Sequence, residues 1–177
     1  MATWSLDTLH SEIGFKVKHL MISTVSGKFN QYDALVETTS NDDFKGAKVS
    51  FSADIESITT GNDQRDGHLK SDDFFNAAQF PKLTFENGIL LSTSNGEMIL
   101  KGDLTIRDVT KPIELQVSYS GLMTDFYGNQ KAGFEAIGKI NRKDFQLKWS
   151  ATTEAGGVVV SDEVKLVLDI QLQMNKE

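Results

Sequence analysis

Glu12-Ile13-Gly14-Phe15-Lys16-Val17-Lys18-His19 places Ile13, Phe15, Val17 and His19 on one parity and Glu12, Gly14, Lys16 and Lys18 on the other. Successive side chains of an extended chain point to opposite faces, so this stretch is a half-buried strand with one dry face. The same period returns along the chain. Val49, Phe51, Ala53 and Ile55 share a parity, as do Met98, Leu100, Leu104 and Ile106, and then Ile113, Leu115, Val117 and Tyr119. Phe134, Ala136, Gly138 and Ile140 follow, and Val164, Leu166, Leu168, Ile170 and Leu172 close the series. The class is all-β.

Turn chemistry punctuates the runs. Asn87-Gly88, Asn95-Gly96 and Gly128-Asn129 supply the positive φ angles of tight hairpins, and Thr110-Lys111-Pro112 suits a further turn. Antiparallel neighbours are expected throughout the second half. One segment departs from period two: near residues 62–70, NDQRDGHLK offers Asn62 as an N-cap and sets Arg65, His68 and Leu69 on one helical face. A short helical insertion is expected there, although Gly67 weakens it. The following SDDFFNAAQFPKLTF carries Phe74, Phe75 and Phe80 through a loop-like stretch before Leu83 and Phe85 resume alternation.

No linker or fixed-period repeat divides the chain, so residues 1–177 are expected to form a single domain. About eight long strands can bury their dry faces as a two-sheet sandwich or as a closed antiparallel barrel. Strands of roughly ten residues favour the barrel, whose interior can hold one elongated ligand.

Composition narrows the function. With 18 basic and 25 acidic residues the net charge is −7, which argues against a general nucleic-acid binder, since that needs a basic surface. The same charge disfavours electrostatic capture by an anionic membrane. The chain has no cysteine, which excludes disulfides and thiolate chemistry. Its apolar runs, such as Val158-Val159-Val160, are far shorter than the roughly 18 residues that suggest a spanning helix. The opening MATWSLDTLHS lacks the features of a signal peptide, so the chain as given is expected to be cytoplasmic, or periplasmic if a leader has been removed.

Residues that could carry chemistry are few. His10, His19 and His68 lack metal-ligand spacing, so no metal and no cofactor is expected. Asp7, His10 and Ser11 have the residue types of a hydrolase triad, but within five residues local hydrogen bonds are the expected use. Ala155-Gly156-Gly157 reads as a bend or bulge, and Asp42-Asp43 and Asp72-Asp73 read as solvated loop charges. Phenylalanine outnumbers tyrosine and tryptophan together, 11 to 5, which suits a dry cavity as well as a filled core.

Several stretches resemble the YceI-like family. WSLDTLHSEIGFKVKH resembles its N-terminal signature, and SGKFNQYDALVE its next strand. SADIESITTGNDQRDGHLKSDDFFNAAQFPKLTF is similar to its most distinctive segment, and GDLTIRDVTKPIEL, GFEAIGKINRKDFQLKW and GGVVVSDEVKLVLDIQL continue the match. Asp108, Gln146 and Ser161 stand where the family usually has glycine.

The resemblance implies a lipocalin-like barrel that binds a long polyisoprenoid, such as a prenyl quinone, without catalysis, often as a homodimer. Storage or transport of that lipid would be its function; alternatives are a carrier of a fatty acid or fatty amide, or a stress-response interaction protein. The residues expected to face the lipid are Phe15 and Val17, Phe29, Phe51 and Ile55, and Phe85. From the second half come Leu100, Leu104 and Ile106, Leu115, Phe134 and Ile140, and Leu166 and Leu168. His10, His19, Arg65, His68 and Arg142 are the candidates for contacting a polar head group.

Overall fold

A computed structural model of the protein describes residues 1–151 and 159–177. The extended segments are β1 (Ala2–Leu6), β2 (Glu12–His19), β3 (Ser23–Phe29), β4 (Tyr32–Thr38), β5 (Lys48–Asp54) and β6 (Ile58–Thr59). Helix α1 (Asp63–Lys70) follows, and then β7 (Lys82–Ser92), β8 (Met98–Ile106), β9 (Val109–Thr124), β10 (Gln130–Asn141) and β11 (Val160–Met174).

Register turns these eleven segments into eight barrel strands. β4 pairs with β1 while β3 pairs with β2, so β1 with β2, and β3 with β4, are the halves of two bent strands. β5 and β6 likewise continue one another, against β4 and β3 respectively. Every neighbour is antiparallel and sequential, and β11 closes the ring by pairing with β2 along Val164–Asp169 and with β1 at Leu172–Met174. The bend between β1 and β2 is a 3-10 turn, Thr8–His10. The inner face is apolar and the outer face polar, the reverse of a barrel that spans a membrane.

Asn87-Gly88 forms no hairpin turn. It lies inside β7 as a bulge, with Asn87 at φ 56° and the register against β8 shifting between Glu86 and Ile89. The extra residue switches parity, so Leu83 and Phe85 point inward before it and Leu90 after it. Phe85 then lies across two glycines, and a Cβ on Gly102 would stand 2.3 Å from its ring. Thr110-Lys111-Pro112 is also strand: the turn falls earlier, at Arg107-Asp108, and Pro112 pairs with Asp103. β10 reaches β9 only from Gln116 onward, so the proline costs no ladder bond on that side. Asn95-Gly96 and Gly128-Asn129 do occupy turns. Gln146 holds a left-handed conformation at φ 64°, a place suited to glycine. Ala155-Gly156-Gly157 lies outside the described residues.

The helix begins where the residues indicate. The side chain of Asn62 accepts from the Arg65 N–H at 2.9 Å, and Ser71 ends the helix by donating to the His68 carbonyl. After it, Arg107 donates to the carbonyls of Asp72 and Phe74 and lies over the Phe80 ring, which fixes the phenylalanine-bearing loop to the barrel.

Gly102→Ala is expected to lower unfolding free energy by about 1–3 kcal/mol, because the added methyl must displace the Phe85 ring. A urea melt of the two proteins checks this, and equal midpoints would contradict it.

Candidate functional site

The inward parity encloses an elongated cavity of about 260 Å³. One end is closed by the loop between β4 and β5, whose Phe44 packs on Trp4 at 4.9 Å and on Phe134 at 5.0 Å between ring centroids. Trp4 is fully buried, and its indole N–H donates to Thr38 Oγ1. At the other end Leu69 of α1, Phe74 and Phe75 of the loop after it, and Leu147 cover the barrel.

Thirteen of the fourteen residues expected to face a lipid line this cavity: Phe15, Val17, Phe29, Phe51, Phe85, Leu100, Leu104, Ile106, Leu115, Phe134, Ile140, Leu166 and Leu168. Ile55 does not. The strand gives way there to a 3-10 turn, Ile55–Ser57, and the side chain, 2% exposed, belongs to the same buried cluster without reaching the cavity. Phe44, Leu69, Phe74, Phe75 and Leu147 line the cavity although no strand period announces them. Their only signal is an apolar residue set in a polar loop or helix, as in Asp42-Asp43-Phe44-Lys45.

The five head-group candidates are not brought together. Arg142 alone among them lines the cavity, where it is the one charged side chain among the described lining residues. It is 3% exposed, and burial draws the guanidinium's pKa down while Asp162, 3.8 Å away, draws it partly back up. Its donors go to backbone carbonyls: Nε to Ser161 at 2.9 Å, Nη1 to Leu147 and to Trp149. Arg142 is therefore a brace between the segment after β10 and the start of β11. Arg65 is also engaged, donating to the Thr60 hydroxyl and carbonyl, while the neighbouring buried Asp66 accepts from the Thr60 N–H and hydroxyl. His68 meets Asp73 at 2.8 Å and packs edge-on against Phe74 and Trp149. His19 ends β2 and lies outside the cavity lining.

His10 stands on the outside of the barrel with Asp7, as local hydrogen bonding implies. Asp7 accepts from Lys131 at 2.7 Å, His10 at 3.0 Å and Gln171 at 3.1 Å. Ser11 Oγ instead accepts from the Gln171 N–H and donates to its carbonyl, so no hydroxyl is poised on the imidazole as a triad requires. The cluster ties the bend between β1 and β2 to β10 and β11. Among the described residues no group of three or more His, Asp or Glu is placed to hold a metal.

Burial raises the Asp7 pKa, but the hydrogen bonds and charges of Lys131 and His10 outweigh it and hold the carboxyl at about 2. A depressed carboxyl pKa stabilises the fold above the unfolded value near 4, and that stability is lost as pH falls toward 2. The difference corresponds to about 2 kcal/mol. Asp7→Asn is expected to lower unfolding free energy by about that amount at pH 7, and to flatten its decline between pH 4 and pH 2. Chemical denaturation across that pH range measures both, and parallel curves for the two proteins would refute the assignment.

The YceI-like domain model matches residues 4–172. A UPF0312 protein of Staphylococcus aureus (strain bovine RF122 / ET3-1) is 36% identical over 177 residues, covering 99% of this chain and 100% of the relative. Among solved structures, the Campylobacter jejuni YCEI protein is 35% identical, with a TM-score of 0.72 and 97% of each chain covered. A polyisoprenoid binding domain from Saccharophagus degradans is 17% identical and shares the fold, with a TM-score of 0.71 over 97% of this chain and 98% of that one.

Proposed function

The chain belongs to the YceI-like domain family, and from that membership and the cavity we propose that it is a non-catalytic binder of a long apolar lipid, a polyisoprenoid such as a prenyl quinone. The observation that carries this reading is an interior space whose described lining is apolar apart from Arg142. Such a lining recognises area rather than direction. Burial is worth about 0.8 kcal/mol per CH₂-sized group, so each five-carbon isoprene unit brings about 3–4 kcal/mol before ordering costs are subtracted.

The polyisoprenoid binding domain that shares the fold supports this choice of ligand. The shape of the interior adds to it. The lining runs from Leu6, Phe44 and Leu172 at one end to Ile106, Phe74 and Leu147 at the other, which suits an extended tail better than a compact ligand. A non-catalytic role fits the lining as well, since Arg142 is committed to backbone carbonyls and the Asp7 cluster lies outside the barrel.

Ala136 lines the cavity at mid-barrel, opposite Leu168 and Val117. Ala136→Phe is expected to weaken binding of a polyprenyl quinone to the delipidated protein at least tenfold, read from quenching of tryptophan fluorescence, while the melting temperature confirms that the barrel is intact. Unchanged affinity in a folded variant would place the lipid elsewhere. A labelled fatty acid in the same assay distinguishes the ligand classes, since a fatty acid that displaces the prenyl quinone at lower concentration would favour the smaller amphiphile.

A further inference from the structure

Charge on the outer face of β2, β11 and β10 is arranged in rows of one sign. Lys16 lies opposite Lys165, and Lys165 opposite Lys139. Four residues along each strand, Glu12 lies opposite Asp169 and Asp169 opposite Glu135. All six side chains are exposed. Like charges directly opposite one another destabilise a sheet. Lys139 reaches Glu163 at 3.6 Å, but among the described residues Lys16 and Lys165 form no ion pair. Lys18 and Lys28 extend the basic surface over the outer side of the hairpin made by β2 and β3. Between Glu12 and Phe29 three lysines stand against one glutamate, 3 − 1 = +2, in a chain of net charge −7.

The tip of that hairpin breaks two further rules. Leu20, Met21 and Ile22 are 40%, 60% and 85% exposed. Leu20 and Met21 also hold positive φ angles, 53° and 61°, which glycine or asparagine adopt with less strain. The turn is pinned by the Leu20 N–H donating to the Val159 carbonyl at 2.8 Å and the Ile22 N–H to that of His19. Among the described residues these large apolar side chains stay mostly exposed while two of them add strain, a combination that marks functional segments. The tip stands at the barrel end where Val17, Val160 and Arg142 line the cavity.

We propose that the hairpin of β2 and β3 docks the barrel on an anionic lipid surface. Leu20, Met21 and Ile22 enter the boundary between head groups and acyl chains, while Lys18, Lys16 and Lys165 meet the head groups. A strand rises about 3.4 Å per residue, so Lys18 and Lys16 sit roughly 7 and 14 Å behind Leu20. That spacing suits an apolar edge buried about 5–10 Å deep with cations above it. The other exposed apolar tip, Phe126 and Tyr127, is at the opposite end beside Asp125, and the turns around it carry Asp42, Asp43 and Glu97. Exposed acids also stand at the hairpin's end, Asp162 and Glu163 among them, so the selection rests on the lysine row of β2 and β11 behind the tip, which the other tip lacks. Docking there brings the cavity's end to the membrane whichever lipid fills it, so the proposal stands apart from the identity of the cargo.

The test is sedimentation of the full chain with vesicles of phosphatidylcholine and phosphatidylglycerol at 70:30, and with phosphatidylcholine alone, at low and high salt. Binding to the anionic vesicles that falls with salt is expected. Ile22→Asp, and separately Lys16→Glu with Lys165→Glu, should each weaken it at least tenfold, while Phe126→Asp should leave it unchanged. Leu20→Asn with Met21→Gly should raise the melting temperature and weaken vesicle binding together. No binding to anionic vesicles would overturn the proposal, as would loss of binding with Phe126→Asp, or relief of strain without loss of binding. A wild-type dimer that Lys165→Glu separates, with no vesicle binding, would assign the lysine row to a second copy and equally overturn it.

Discussion

Closure of the sheet between its first strand and its last is the constraint on which the structure depends. β11 is long enough to pair with β2 along its first half and with β1 near its end, and the 3-10 turn between those two segments lets one bent strand follow it. Without that seam both edges would be open templates for pairing. The dry face of every strand would also lose the opposite wall that keeps it from water. The Asp7 cluster sits on the seam, joining the bend to Lys131 of β10 and Gln171 of β11. Polar residues that look catalytic in the chain thus serve the closure.

Given closure, the interior follows from parity and from the few places where parity is interrupted. Strict alternation along eight strands would put one side chain in two inside. The bulge at Asn87-Gly88 moves Leu90 into the set that Leu83 and Phe85 begin, and the two glycines beneath Phe85 let its ring lie flat. Loops and helix α1 then cap the tube: Phe44 at one end, and Leu69, Phe74, Phe75 and Leu147 at the other. The result is a lined space instead of a core filled from wall to wall.

Most of this was legible in the residues, and the exceptions share a physical cause. Period two identifies the strands and their dry faces, and Asn62 marks the start of the helix through its side-chain oxygen. Misread were the features for which one local pattern serves two geometries. An Asn-Gly pair supplies positive φ to a bulge as readily as to a hairpin, and a proline marks an unpaired strand side as well as a turn. Ile55 continues an alternation that the backbone abandons for a 3-10 turn. The loop-borne phenylalanines could not be placed, because what they touch depends on tertiary contacts and not on spacing. Net charge was informative only as a sum: the lysine row became visible when register set Lys16, Lys165 and Lys139 side by side.

The proposed function rests on a dry tube that would hold a long apolar tail, and the most direct measurement is of what the protein carries. Native mass spectrometry of the gently purified full chain, followed by organic extraction of the same sample, reports both occupancy and identity. The expected result is a mass excess over the 19.6 kDa chain that matches one extracted prenyl lipid. A bare chain mass that added prenyl lipid leaves unchanged would contradict it.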